Sequence, residues 1–304
     1  MNEKLNWTER TCPLCGFAKE SRVFAESNIN AKDLTEYAFA SRKLPEYMHP
    51  RLVNCAECGV MYANPALSAD TLGGLYREAA FDSREESQMA SFSYTGILQK
   101  FLGNLPDREG AVDIGAGDGT FCERLIELGF TGVTGVEPSS APIAAATPRA
   151  QQLLVHRIFR GDDFVPNSVS LVSCFQVMEH VPNPLEIASA ALRILKPNGL
   201  FLTVVHNQRA MSARLLGLKS PIYDIEHLQL FTKETGRRLL ESAGFRDVQV
   251  YSLWNRYPLQ YWMRLFPFPP SIKSGLISFA KRSGLGAIKT PLPAGNIVLL
   301  GFKP

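Results

Sequence analysis

Beyond residue 110 the chain alternates short apolar runs with amphipathic stretches. Residues 111–114, 132–137, 153–156, 170–175 and 200–205 read as short buried strands. The stretches 119–128 and 184–195 carry apolar residues at helical spacing. Lys196-Pro-Asn-Gly199 makes a turn into the fifth strand. Thr232 has the chemistry of a helix N-cap and Gly244 that of a C-terminal stop, with a further helix between them. Strands at 246–251 and 296–302 complete the pattern. Repeated strand–helix units with short buried strands predict an α/β domain, a parallel sheet with helices on both faces.

The first 80 residues differ. Strand-like runs are few (51–55 and 60–63), and four of six cysteines form two tight pairs, Cys12-Pro-Leu-Cys15-Gly and Cys55-Ala-Glu-Cys58-Gly. The glycine after each pair permits a turn that aims both sulfurs at one ion, and two such knuckles complete a tetrahedral S4 site. Structural Zn2+ on Cys12, Cys15, Cys55 and Cys58 is the leading expectation. Iron in a rubredoxin-like site is the main rival, and a redox disulfide pair fits a cytosolic chain less well. A metal there supplies much of the folding free energy of a segment with few core residues. Cys122 and Cys174 are simplest as core. Residues 66–103 carry Leu72, Leu75 and Tyr76, then Phe92, Ile97 and Leu98, at helical spacing. The expected organisation is a zinc-binding module at 1–80, a helical linker at 81–108 and the main domain at 109–304.

Between the first strand of that domain and its helix stands Val112-Asp-Ile-Gly-Ala-Gly-Asp-Gly-Thr120. The glycines let the backbone turn sharply and approach a ligand. Glu137 ends the next strand, 20 residues after Gly117, where a carboxylate can accept both hydroxyls of a ribose. Dinucleotide sites space their glycines G-x-G-x-x-G, so that the pyrophosphate meets a helix N-terminus. Here the spacing is G-x-G-x-G, and Asp113 and Asp118 would repel a pyrophosphate. A carboxylate beside the turn suits an ammonium group instead. S-adenosylmethionine (SAM) carries an amino-acid end, a ribose and a sulfonium cation, with no phosphate, so the charges favour SAM over NAD.

Asp113-Ile-Gly-Ala-Gly-Asp-Gly119, Glu137, Gln176-Val-Met-Glu-His-Val181, Leu195-Lys-Pro-Asn-Gly199 and His227-Leu-Gln-Leu-Phe-Thr232 together resemble the successive motifs of class I SAM-dependent methyltransferases. The resemblance covers about residues 95–304. It implies a Rossmann-like, mostly parallel sheet in which Asp113, Gly115 and Gly117 hold the methionine end and Glu137 the ribose. It further implies that Asp162 or Asp163 meets the adenine edge and that Phe175 and Gln176 line the pocket. Where many relatives have Phe-Asp before the fourth strand, this chain has Val169-Ser170. The cysteine-bearing segment is similar to the zinc-binding segment ahead of the SAM domain in certain bacterial methyltransferases of sugar, polysaccharide and natural-product pathways. The sugar C-methyltransferases among them usually carry a further C-terminal domain, so the match is to their first two modules.

Methyl transfer from a sulfonium is an in-line displacement that depends mainly on alignment, with a base needed only if the acceptor loses a proton. His180, His206 and His227 fall after predicted strands four and five, at the carboxyl edge where open α/β sheets bind ligands. His227, in the long segment after strand five, ranks first as base, and His180 second. Glu179-His180 is also similar to metal-assisted quinone methyltransferases, but Gln176 stands near where an earlier carboxylate is expected, so no catalytic metal is predicted. Either histidine could instead simply tie a loop down.

With 304 residues, 45% hydrophobic and 20% charged, the chain has the composition of a globular protein. No apolar run approaches the roughly 20 residues of a membrane span, and MNEKLNWTER shows no secretory signal; the expected location is cytoplasmic. Charge is uneven. Residues 248–304 hold seven basic side chains and no acid, against 25 basic and 29 acidic in the rest. An insert at 252–295 interleaves Trp254, Tyr257, Tyr261, Trp262, Phe266 and Phe268 with Arg256, Arg264, Lys273, Lys281 and Arg282. A helix at 271–285 would set Ile272, Leu276, Phe279 and Ala280 on one face. The insert reads as a packed cap, as a pocket for an anionic amphiphile such as a nucleotide- or lipid-linked sugar with peripheral membrane contact, or as an RNA surface. A small-molecule acceptor is favoured over RNA because the rest of the chain is mildly acidic. The alternatives are an RNA methyltransferase with the zinc module as clamp, and a SAM-fold protein without turnover.

Overall fold

The computed structural model describes residues 6–19, 21–30, 39, 47–78, 81, 84–265, 269–292 and 295–304. Its large sheet has seven strands, β1 (Glu109–Ile114), β2 (Thr131–Glu137), β3 (Leu154–His156), β4 (Val169–Phe175), β5 (Leu195–His206), β6 (Arg246–Ser252) and β7 (Asn296–Phe302). They lie in the order 6-7-5-4-1-2-3. Strands 1 to 5 are parallel. Only β7 is reversed, antiparallel to both β5 and β6. The chain runs outward from β1 in one direction and from β4 in the other, which opens a crevice at their carboxyl ends.

Both faces of the sheet are apolar, as a fully covered sheet requires. In β7, Ile297 and Leu299 pack into one core cluster while Val298 and Leu300 pack into the other. Helices Thr120–Glu127, Pro184–Ile194 and Lys233–Ala243 follow strands 1, 4 and 5. The last begins with a capping box in which the Thr232 hydroxyl accepts from the Thr235 N–H and the Thr235 hydroxyl accepts from the Thr232 N–H. It ends at Gly244 in the left-handed conformation.

Two expectations change. Residues 66–103 are not one helical run: Ala66–Leu67 pairs with Trp7–Thr8, and the rest divides into Ala69–Glu78, Arg84–Leu98 and a 3-10 turn at Gln99–Asn104. The helical spacing continues across these breaks, so periodicity alone does not locate them. Residues 196–199 belong to β5 as an irregularity in its pairing with β4, between Leu195 and Leu200, with Asn198 at φ 63°.

The cysteine-bearing segment builds a four-stranded antiparallel sheet of Arg22–Ala25, Leu52–Asn54 and Met61–Ala63, completed by Gln229–Leu230 from beyond β5. Cys12, Val53, Cys55 and Tyr62 share one apolar cluster with Val112, Val172 and Leu239 of the main domain. The joint is hydrogen-bonded as well. The Leu228 N–H donates to the Glu179 carbonyl (2.8 Å), and the Ala63 N–H donates to the Leu228 carbonyl (2.8 Å). The buried Gln229 amide donates to the Val181 carbonyl at 2.8 Å and to the Met178 carbonyl. Its oxygen accepts from Arg10, which also donates to the Pro182 carbonyl at 2.7 Å. Replacing Gln229 by Ala strands these buried carbonyls. Urea unfolding of Gln229→Ala is expected to show a loss of about 1–3 kcal/mol, and an unchanged midpoint would show that the joint carries no stability.

Candidate active site

A cavity of about 670 Å³ lies at the carboxyl ends of the parallel strands, lined by Asp113, Glu137, Phe175 and His206 among others. That size suits a cofactor-sized ligand with room for a second molecule. The glycine turn forms part of its wall. Gly115 sits at φ 72°, where a Cβ would also run into Val177. Gly117 sits at φ 57°, and a Cβ there would meet nothing within 4 Å. The space beside Gly117 is therefore open to a ligand approaching the backbone.

Both acids of this region are buried. Glu137 accepts from the Gly117 N–H and the Ser139 N–H, each at 2.8 Å, which aims one carboxylate oxygen along each direction and leaves lone pairs for two hydroxyls. Burial raises its pKa, with these N–H donors opposing. Asp113 accepts from the Ser173 hydroxyl at 2.6 Å. Burial pushes its carboxyl up to about 7, Ser173 working against the shift and Glu137 adding to it. Among the described residues neither acid forms a salt bridge, so this end of the cavity favours a ligand with a positive group. Asp118 is bound locally, to the Thr120 hydroxyl at 2.8 Å.

Phe175 is locked between aromatic rings, stacked on Tyr94 at 4.0 Å and edge-on to Phe121 at 4.8 Å. Gln176 follows at φ 54°, an unfavourable conformation for a residue other than glycine, held by its N–H on the Val204 carbonyl (2.8 Å). Both line the cavity. Asp162 and Asp163 do not. Asp162 is exposed and pairs with Arg193 at 2.9 Å, and Asp163 pairs with Arg157 at 3.3 Å. Ile158 and Phe159 line the cavity in that stretch instead, so the apolar residues just before the acids, rather than the acids, face it.

The three histidines of the carboxyl edge come together. The His227 ring lies 4.9 Å from those of both His180 and His206. His227 is buried and donates from Nδ1 to the Ile222 carbonyl at 2.8 Å, which fixes its ring. His206 Nδ1 donates to the buried Glu179 carboxylate at 3.0 Å. His180 Nδ1 meets the Tyr76 hydroxyl at 3.0 Å and the Glu226 carbonyl at 3.2 Å. Burial raises the Tyr76 pKa well above its usual value, and Glu226, Asp224 and Glu179 add to the shift; the field at this end is negative. One ligating atom each of His180, Glu226 and His227 lie within 4.8 Å of one another, a group in the cavity wall able to meet a cation.

The four cysteines also converge, all sulfurs lying within 4.8 Å of one another. Cys12 and Cys58 are 3.5 Å apart, Cys15 and Cys55 3.6 Å. Sulfurs about 2.3 Å from a central tetrahedral ion stand about 3.8 Å apart, so the set fits a metal of that size. Each knuckle is closed by a glycine N–H on the first cysteine's carbonyl, Gly16 on Cys12 (2.9 Å) and Gly59 on Cys55 (3.0 Å). Hydrogen bonding to Cys58 and burial hold the Cys12 thiol protonated, a preference that a bound cation reverses.

The insert contributes Tyr257, Tyr261 and Trp262 to the cavity wall, with ring spacings of 4.6–5.7 Å; Phe266 and Phe268 lie outside the described residues. Its helix Pro270–Arg282 departs from expectation. Ala280 is buried, but Ile272, Leu276 and Phe279 face solvent, because the cavity wall is made by the preceding aromatic segment.

Ser173, Tyr76 and Tyr94 escaped sequence reasoning. Ser173 pairs in register with Asp113 across the parallel strands, a signal available once β1 and β4 are aligned as neighbours. The tyrosines come from helices outside the sheet and carry no local mark.

A methyltransferase domain model matches residues 86–250, more than half of the chain. The chain belongs to this methyltransferase family. It is similar to the ubiquinone biosynthesis O-methyltransferase of Actinobacillus pleuropneumoniae, 29% identical over 134 residues, 40% of this chain and 56% of the relative. The protein of the same name from Pseudomonas fluorescens is 30% identical over 114 residues, 35% of this chain and 49% of the relative. The chain thus spans about half the length of the curated relatives it matches. A solved structure of a putative methyltransferase from Bacillus halodurans is 16% identical with a TM-score of 0.49, covering 70% of this chain and 99% of that one.

Because Ser173 lowers the Asp113 pKa, Ser173→Ala is expected to move that titration above pH 7, read from the Asp113 carboxyl carbon shift. In the wild type the folded state keeps this proton between the unfolded carboxylate range and about pH 7, so the group's contribution to stability falls as pH rises through that window. The mutant should extend the fall to higher pH. A titration that stays in place would show that Ser173 does not hold the carboxylate.

Proposed function

We propose that this chain is a SAM-dependent methyltransferase acting on an oxygen or carbon of a small molecule, a sugar, polysaccharide precursor or specialised metabolite, in the cytoplasm. The observation that carries this reading is the cavity formed by an open glycine turn and two buried carboxylates that form no salt bridge among the described residues. Asp113 and the 115–117 turn hold the ammonium end, and Glu137 accepts the ribose hydroxyls. Phe175 and Gln176 flank the cofactor, which supplies an electrophilic methyl carbon on sulfonium. The acceptor occupies the histidine end, beneath Tyr257, Tyr261 and Trp262. There His227, its Nδ1 tied to Ile222, takes the acceptor's proton through Nε2. His180, braced by Tyr76, orients the same group. The negative field stabilises the imidazolium that forms. The aromatic walls suit an amphiphilic acceptor such as a nucleotide- or lipid-linked sugar, with exposed basic residues of the insert, outside the cavity, to meet its anionic part. Zn2+ on Cys12, Cys15, Cys55 and Cys58 holds the small sheet against the histidine end and takes no part in the transfer.

Calorimetric titration with SAM, alongside metal analysis, tests the donor site. One SAM and one zinc per chain are expected. Asp113→Ala should abolish detectable SAM binding and keep the zinc, whereas Cys12→Ser should lose the zinc. A folded, zinc-loaded protein that ignores SAM would sink the reading.

Transfer of labelled methyl to panels of sugars, nucleotide sugars and quinols tests the acceptor end. His227→Ala should lower kcat by about 10²- to 10⁴-fold while leaving SAM affinity unchanged. Retained turnover would remove His227 as the base.

A further inference from the structure

Ten of the fifteen exposed large apolar side chains among the described residues fall in two segments. One is the helix Met211–Leu216 with the turn Gly217–Lys219. There Met211 is 77% exposed, Leu215 78% and Leu218 44%. The other is the insert, where Ile272, Leu276 and Phe279 form a solvent-facing stripe on one helix face, with Leu285 and Ile288 exposed beyond it.

These segments meet where the insert ends. The Asn207 N–H donates to the Gly295 carbonyl at 2.7 Å, and a Cβ on Gly295 would meet Ala210 at 3.0 Å and Ser212 at 3.2 Å. Both also line the one cavity, through Ser212 and Leu216 on one side and Tyr257 and Trp262 on the other. Each segment therefore has two faces. In the short helix, Ser212 and Leu216 face the cavity while Met211 and Leu215 face out. In the insert, Tyr257 and Trp262 face the cavity while Ile272 and Phe279 face out.

Charge selects the occupant. Residues 205–223 and 248–304 contain no acidic side chain, although the rest of the chain is acidic on balance. Arg214, Lys219, Lys281, Arg282 and Lys289 are exposed beside the apolar groups, and none of the five forms an ion pair among the described residues. Apolar side chains ringed by cations fit an interface in which acyl chains lie under anionic headgroups. An identical basic face on a second copy would repel this one, and an RNA would leave the aliphatic stripe uncovered.

We propose that Met211–Lys219 and the outer face of the insert form one docking surface for an anionic phospholipid bilayer, which brings the cavity wall against the membrane that holds an amphiphilic acceptor. The docking stands on this geometry, and the delivery of an acceptor rests on the function proposed above.

Flotation of the full, zinc-loaded chain with vesicles tests the surface. Binding to phosphatidylglycerol-containing vesicles, weak binding to pure phosphatidylcholine and release at about 1 M salt are expected, since screening then acts within about 3 Å. Leu215→Glu and Phe279→Glu should each weaken the partition by about tenfold or more while SAM titration stays as in wild type; neither side chain lines the cavity. Three results would overturn the proposal: no binding to anionic vesicles by SAM-competent protein, binding by both variants as strong as that of the wild type, or a dimer broken by these substitutions in a chain that ignores lipid. Vesicle binding by protein that fails to bind SAM would retain the surface and remove the methyltransferase reading alone.

Discussion

The side-chain amide of Gln229 is the hinge on which the histidine end is built. It lies in a two-residue strand that completes the cysteine-bound sheet, yet it donates back to the loop after β4 at Met178 and Val181. A buried amide with two donors and one acceptor in use is costly to disturb, because each orphaned carbonyl loses its partner away from the surface. The same stretch delivers His227, two residues earlier, and pairs Leu228 with the Glu179 carbonyl. Glu179 in turn carries His206. The small sheet and its sulfur cluster are thereby coupled to all three histidines without entering the cavity. A metal that orders the knuckles would order the candidate acceptor site at one remove.

The donor end follows a different logic. Asp113 and Glu137 are buried carboxylates with hydrogen-bond donors but no salt bridge among the described residues. Folding alone disfavours their charged forms, which is why both pKa values rise. A cationic ligand recovers that unfavourable term when it binds, so electrostatic strain held by the free protein becomes affinity. A phosphate would add to the strain. In the proposed donor site, the folded geometry would thus disfavour a phosphate as the glycine spacing does.

The parts of this arrangement legible in the sequence are those made by one stretch of chain. Strands in the main domain, the Thr232 and Gly244 caps, the glycine turn with Glu137, and the two cysteine pairs all carry local marks. What was not legible depends on stretches meeting across the fold. Ser173 reaches Asp113 only because β4 lies beside β1 in register. Asp162 and Asp163 have the right chemistry and the wrong direction, since Arg193 and Arg157 draw them outward. Tyr76 and Tyr94 come from the 66–103 run, whose periodicity marked helices but not the breaks that let two of them cover the cavity. The reversal of β7 left no trace in its composition, because a strand buried on both faces is apolar in either direction.

The insert shows why amphipathicity alone misjudges a cavity wall. A 3.6-residue period says that a helix has an apolar side, and the default inference is that this side packs on the core. Here Tyr257, Tyr261 and Trp262 already occupy the inner position, so the following helix has no core left to cover and its stripe stays outside. A contiguous exposed apolar stripe is a liability for a protein surrounded only by water. It persists here in company with exposed cations and an acid-free stretch of 57 residues, a combination that neither packing nor solubility requires. Burying the aromatic wall and leaving the aliphatic stripe exposed are thus two results of one topology, an inner aromatic segment that faces the cavity and an outer helix left with no core to cover.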